Sequence, residues 1–224
     1  MIVELIPVVE ITRFSTGVPM PENSGRENPE VWDEYHAACF VKAGIPDKLV
    51  PYTTGSWFYR LNEISDANLK KLIIDQTEEM REDDYDWEEE YGRPFYGGYV
   101  LRVDDEDKYF PQCCCDLSYI YDWEGLLKDK QEHFYVGHPS PSVQVNDGII
   151  TFDFTKPVPN EPYSHDVPDE KLSFDLELLR QALANARIEL NEFADRLIYI
   201  NETEKLGVPD IDKHLIWKGT RSRK

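Results

Sequence analysis

The sequence lacks any long uninterrupted apolar stretch. Crossing a bilayer as a helix takes roughly 20 apolar residues, and no run in the chain approaches that length. The first residues, Met1–Pro7, have no basic segment before their apolar run and carry Glu4 inside it, which is unlike a signal peptide. We therefore expect a cytoplasmic protein that does not associate with membranes.

Cysteine is scarce, and its placement argues against a disulfide framework. The chain has four cysteines, of which Cys113, Cys114 and Cys115 are adjacent. Neighbouring cysteines rarely bridge each other because the geometry is strained. Reduced thiols in a reducing compartment are the simpler interpretation.

Basic residues are outnumbered by acidic ones. The sequence has 24 Lys and Arg against 44 Asp and Glu, a formal net charge of −20. Such a charge repels nucleic acid and anionic membranes and attracts a basic protein by long-range steering. We expect no nucleic-acid partner. A basic protein partner is one interpretation of the charge, and plain solubility is the other.

The familiar motifs of cofactor enzymes are missing. There is no phosphate-binding Walker loop, no glycine-rich dinucleotide fingerprint and no His-Glu-x-x-His helix, and the Gly-x-Ser-x-Gly nucleophile elbow is also absent. We expect no cofactor, and the sequence favours a protein that is not an enzyme.

One arrangement keeps a metal-dependent enzyme open as an alternative. If residues 113–115 form a strand, Cys113 and Cys115 share one side of it, and His133 and His138 follow in the sequence. These four side chains could complete a zinc site, but zinc ligands usually lie two to four residues apart on a turn. A metal site is therefore not predicted, and a buried apolar role for the cysteines is favoured.

The pattern of apolar residues predicts a mixed α+β fold. We expect mostly antiparallel strands with helices packed on one face, in a single domain over residues 1–224. Its predicted elements are a strand over 2–11, helices after Asn28-Pro29 and Ser65, a strand over 99–103, a short helix after Ser118 and a hairpin around Asn146-Asp147-Gly148. A proline-rich connection at about 155–170 leads to the last helix.

The last predicted helix carries one apolar stripe. Its members alternate in steps of three and four, as on an amphipathic helix: Leu176, Leu179, Leu183, Ala186, Leu190, Phe193, Leu197 and Ile200. The favoured interpretation is a helix laid across the sheet, because the sheet needs a cover. A dimeric structural or interaction protein that pairs through the stripe is the alternative, so the chain is expected to be a monomer or a dimer.

The strongest functional candidate is the acidic run from Glu78 to Glu90, which holds nine carboxylates and a single base. Mutual repulsion makes such a run unfavourable in isolation, and its interleaved aromatic residues are typical of protein interfaces. The predicted partner-binding residues are Glu82, Asp83, Asp84, Tyr85, Asp86, Trp87 and Glu88. A solvated acidic face is the other interpretation.

A resemblance bears on the choice. The chain contains Pro111-Gln112-Cys113-Cys114, Asp116-Leu117, Trp123 and Gly137-His138-Pro139. This pattern resembles uncharacterised small acidic bacterial proteins, some of which are similar to immunity proteins that neutralise toxins. The resemblance covers about a fifth of the chain and carries no catalytic residues. It implies a cytoplasmic bacterial protein-binding protein, and the specific role that it suggests is an immunity-type inhibitor of a basic toxin.

Overall fold

The computed structural model describes residues 1–15, 17–78, 80, 92–128, 134–155, 163 and 165–219. Contacts divide the chain into two compact units. The first unit comprises Met1–Pro7 and Tyr96–Leu190, and the second comprises Val8–Phe95 and Asn191–Lys224. The prediction of a single domain over 1–224 stays a prediction. Half of the proline-rich connection at about 155–170, namely residues 156–162 and 164, lies outside the described residues.

The architecture is α+β, as the sequence predicts. Its strands are β1 (Val3–Glu10), β2 (Phe58–Arg60), β3 (Gly97–Val103), β4 (Glu106–Tyr109), β5 (Ser142–Asn146), β6 (Ile149–Asp153) and β7 (Lys171–Asp175). Its α-helices are α1 (Pro29–Lys42), α2 (Asp66–Gln76), α3 (Ile120–Gly125) and α4 (Leu176–Thr203). A π-helical turn over Lys213–Trp217 follows α4.

The described strands form two sheets. One has the order β2-β1-β3-β4 and the other the order β5-β6-β7. β2 pairs antiparallel with Val8–Glu10 of β1 only, so Pro7, which has no N–H to donate, lies just before the paired residues. The predicted hairpin is confirmed: β5 and β6 pair antiparallel. Its turn residues Asp147 and Gly148 both have positive φ, as a tight two-residue hairpin turn requires.

The strand β7 is absent from the sequence prediction. It pairs antiparallel with β6 along its whole length, with Phe152 opposite Leu172 and Ile150 opposite Phe174. The signal was present, because Leu172 and Phe174 alternate with polar residues. The short spacing to α4 obscured it: Asp175 ends the strand and Leu176 begins the helix.

The helix caps are partly as predicted. Ser65 caps α2, its hydroxyl accepting the Asn68 N–H at 3.2 Å. Asn28 does occupy the N-cap position of α1, but its side chain makes no capping hydrogen bond. The prediction that Ser118 caps the short helix is wrong. Asp116 takes that role, since its carboxylate accepts the Ser118 N–H at 2.8 Å ahead of the 3-10 turn that leads into α3.

The apolar stripe of α4 belongs to the core. Seven of its eight predicted members are buried, namely Leu179, Leu183, Ala186, Leu190, Phe193, Leu197 and Ile200, and only Leu176, at the helix start, is half-buried. In the first unit, the Arg187 guanidinium binds both carboxylate oxygens of Glu124, at 2.6 and 2.9 Å. Among the described residues, no helix is both long and apolar enough to span a membrane.

Candidate functional site

The predicted partner-binding residues all belong to the acidic run between Glu78 and Glu90. Residues 81–91, which contain Glu82, Asp83, Asp84, Tyr85, Asp86, Trp87 and Glu88, lie outside the described residues. Met80 is the last described residue before this segment, and its side chain is fully buried. The role of the segment in binding stays a prediction.

The structure separates the two cysteines that a metal site would use. Cys115 is buried whereas Cys113 is exposed, and residues 113–115 do not form a strand, so the condition for a shared side is not met. The reason is the backbone of Cys114, whose φ of 68° lies in the left-handed region and breaks the alternation of a strand. The Cys115 thiol donates a hydrogen bond to the Val136 carbonyl oxygen at 2.7 Å, and burial raises its pKa to about 12.

Of the two candidate histidines, only His138 lies within the described residues. His138 meets Cys113 through the backbone, its N–H donating to the Cys113 carbonyl oxygen at 3.2 Å, and His133 lies outside the described residues. Within the described ranges, no group of three or more His, Cys, Asp or Glu side chains is placed to hold a metal ion. The backbone at Gly137 lies close to Cys115, and only a residue without a side chain allows this. A Cβ at position 137 would lie 2.4 Å from the Cys115 sulfur.

A well-defined concave site lies in the second unit instead. A cavity of about 800 Å³ separates α1 from the segment 45–54. Small-molecule sites in proteins typically measure about 300–1,000 Å³ and are mostly apolar with a few polar groups. The buried apolar side chains along this cavity are Phe40, Ile45, Leu49 and Tyr59. Its size and lining are therefore those of a ligand site.

Hydrogen bonds at both ends hold the segment that faces α1. Near its start, the Asp47 N–H donates to the Asn68 side-chain oxygen at 2.9 Å, and the Ser65 hydroxyl donates to the Asp47 carboxylate at 2.6 Å. Beyond its far end, the Gly55 N–H donates to the Asp33 carboxylate at 2.8 Å. The cavity is thus pre-formed, because its second wall is fixed to α1 and to the start of α2.

Gly55 is required where it stands. Its φ is +80°, and a Cβ at this position would lie 2.7 Å from the Cα of Pro29. Only glycine combines this backbone conformation with so close an approach. The first turn of α1 and the segment after the cavity can meet for that reason.

His36, one of the residues that line the cavity, lies at the centre of an aromatic cluster. The His36 ring lies 5.6 Å from Trp32 and 5.4 Å from Trp57, between ring centroids. The residue is 5% exposed, and neither ring nitrogen has a hydrogen-bond partner within the described part of the chain. Burial lowers the pKa of His36, with nearby Asp33 partly opposing the shift, so the imidazole is neutral at pH 7. A buried, unpartnered polar ring is unfavourable for stability.

The charged groups on the cavity lining are mostly acidic. Asp33, Glu34 and Asp47 line it together with a single base, Lys48. Asp33 and Asp47 already accept hydrogen bonds from Gly55 and Ser65. Glu34 is exposed and makes no hydrogen bond or ion pair with any residue that the structure describes. The electrostatic potential in the cavity is therefore negative.

Sequence reasoning missed this site because it misassigned the buried face of α1. Helical spacing points to Val31, Tyr35, Ala38 and Cys39 as that face. The buried residues are Tyr35, His36, Cys39 and Phe40, while Val31 and Ala38 are exposed. A signal existed in the aromatic residues of 32–40 and of 57–59, but nothing in the sequence brings these two groups together.

Comparison with known proteins adds no relative. No family model matches the chain, and no curated protein or solved structure matches it. The function has to be argued from the residues themselves.

Proposed function

We propose that the chain is a non-catalytic protein-binding protein whose partner is basic, acting as an immunity-type inhibitor of a basic toxin. The observation that carries the proposal is the charge: the net value is −20, and nine carboxylates lie between Glu78 and Glu90. Opposite charges steer the encounter of two proteins and accelerate association. The arrival of a cationic surface would also relieve the repulsion among the nine carboxylates.

The arrangement of the thiols supports binding over catalysis. A catalytic or metal-ligating cysteine needs an accessible thiolate of lowered pKa. Cys115 is buried, with its pKa raised to about 12, whereas Cys113 is exposed. The metal-dependent alternative therefore has no assembled site among the residues that are described.

The burial of the α4 stripe bears on the dimeric alternative. That hypothesis needs an apolar stripe left exposed in the monomer. Leu179, Leu183 and Leu190 are instead buried within the chain itself. The stripe therefore offers no surface for a second copy, and binding of a different, basic protein is favoured.

A capture experiment with matched charge variants tests the proposal. The chain is immobilised, exposed to lysate of the source cell, and the retained proteins are identified. We expect retention of a basic protein by the wild type and its loss when Asp83, Asp84 and Asp86 are all changed to Asn. The control removes three charges elsewhere, at the exposed Asp169, Glu170 and Glu202, and should retain the partner.

Binding kinetics then separate charge from contact. The triple Asp→Asn variant should slow association, and salt should slow wild-type association. Trp87→Ala should accelerate dissociation by about thirty-fold, since a buried aromatic at a hot spot typically contributes about 2 kcal/mol or more. If the control triple variant weakens binding as much as the 83/84/86 variant, overall charge and not the acidic run determines recognition. The proposal would be rejected if neither the triple variant at 83, 84 and 86 nor Trp87→Ala altered binding.

A further inference from the structure

The cavity between α1 and the segment 45–54 has no role in the function proposed above. Its volume of about 800 Å³ is large enough for a small organic molecule. Its walls are fixed by hydrogen bonds at Asp47 and Gly55, so a ligand would not have to organise them. Pre-formed walls reduce the entropy lost on binding.

The apolar part of the lining extends out to solvent. Val41 and Val50 line the cavity while remaining 76% and 59% exposed. Deeper in the lining, Phe40, Ile45 and Leu49 are buried. An apolar body that enters between these groups removes exposed apolar surface from water, which is favourable at about 25 cal/mol per Å².

The polar part of the lining selects the charge of the ligand. Three carboxylates, Asp33, Glu34 and Asp47, face one ammonium, Lys48. Glu34 is exposed and unpaired among the described residues. The neutral His36 adds no positive charge, and Tyr52 and Tyr59 add two aromatic rings to the lining. Aromatic rings and carboxylates together attract cations.

We propose that this cavity is a binding site for an amphipathic organic cation, with an apolar or aromatic body and one protonated amine. The body occupies the space between Phe40, Ile45 and Leu49. The amine lies near Asp33 and Glu34, on the first two turns of α1. A neutral ligand of the same shape gains only the apolar contact, and an anion is repelled by the same carboxylates.

Three probes of one shape and different charge test the assignment by titration calorimetry on the full chain. They are phenylbutylamine, phenylbutanol and phenylbutyrate. We expect the amine to bind with one-to-one stoichiometry about five-fold more tightly than the alcohol, because one partly solvated opposite charge contributes on that order. The carboxylate should show no measurable binding.

Two pairs of variants on α1 locate the site. Ala37 and Ala38 are both exposed, but only Ala37 lines the cavity. Ala37→Trp should fill the cavity and abolish binding of amine and alcohol, whereas Ala38→Trp should leave both unchanged. Glu34→Gln should weaken the amine about two- to five-fold without affecting the alcohol. Glu30→Gln, one turn earlier and outside the lining, should affect neither.

The outcomes are decisive in each direction. Equal affinity for all three probes, or absence of amine binding, would overturn the cation assignment. Amine binding that survives Ala37→Trp would place the ligand elsewhere on the acidic surface. Circular dichroism of each variant at the titration temperature confirms that a lost signal does not come from unfolding. A chain that binds the amine but captures no basic protein would leave this site standing and reject only the proposed function.

Discussion

The buried His36 predicts a stability that falls in mild acid. In the unfolded chain the imidazole titrates near its ordinary pKa of 6.5, and in the folded chain burial lowers that pKa. Between the two values the unfolded state binds the proton more readily than the folded state. The free energy of unfolding is therefore highest above about pH 6.5, decreases as the pH falls below that value, and levels off below the folded pKa.

The size of the effect follows from linkage. Linkage limits the drop in the free energy of unfolding between about pH 8 and about pH 5.5 to about 1.4 kcal/mol, the value for a ring that stays neutral throughout in the folded chain. His214, also buried and with its pKa lowered by burial, adds a loss of the same sign. Glu10, whose pKa is raised by burial, contributes with the opposite sign. Both contributions are common to wild type and a His36 variant, so they cancel in the comparison.

The assay compares wild type with His36→Phe by urea unfolding at the two pH values, followed by tryptophan fluorescence. Phenylalanine keeps an aromatic ring between Trp32 and Trp57 and removes the two unpartnered nitrogens. We expect the variant to lose less stability than wild type on acidification, by up to about 1.4 kcal/mol, and to be at least as stable as wild type near pH 8. An identical acid loss in both proteins would refute the argument that the ring stays neutral when buried.

Three further outcomes are expected. Leu190→Ala should lower the free energy of unfolding by about 2–5 kcal/mol because the side chain is fully buried, whereas Ile188→Ala on the exposed side of the same helix should change it by less than about 0.5 kcal/mol; equal effects would contradict the burial of the stripe. Gly137→Ala should destabilise more than Gly148→Ala, since both have positive φ but only the first would bring a Cβ against neighbouring atoms; chemical denaturation of the two variants ranks them. Iodoacetamide should modify Cys115 only after unfolding, as peptide mass mapping with and without denaturant would show, because the thiol is buried and its pKa is raised to about 12.

Elements whose local signals agree with their packing were predictable from the sequence. The hairpin of β5 and β6 follows from Asp147-Gly148 between alternating apolar residues. The stripe of α4 followed from its spacing, because a long amphipathic helix has one way to bury its apolar side. The residues that determine such elements are neighbours in the sequence, and the tertiary structure agrees with their local preference.

Elements that depend on contacts with residues distant in the sequence were harder to predict. β7 is short and passes directly into α4, so its alternation of Leu172 and Phe174 was too brief to stand out. The strand on which Cys113 and Cys115 would share a side does not form, because the positive φ of Cys114 interrupts the extended backbone. Side chains alternate between two sides only where the backbone is extended. Nothing in three adjacent cysteines indicates that one of them adopts a left-handed conformation.

The cavity shows most clearly why a candidate site can be missed when only the sequence is considered. Its lining comes from α1, from the segment 45–54 and from Tyr59, and its shape depends on hydrogen bonds that Asp33 and Asn68 make with that segment. Each of these residues alone has an ordinary interpretation, as an exposed helical carboxylate or a polar residue after a cap. Only the fold places a negative rim around an apolar space. The acidic excess of the whole chain was visible from composition, but its local use at this cavity is a property of the tertiary structure.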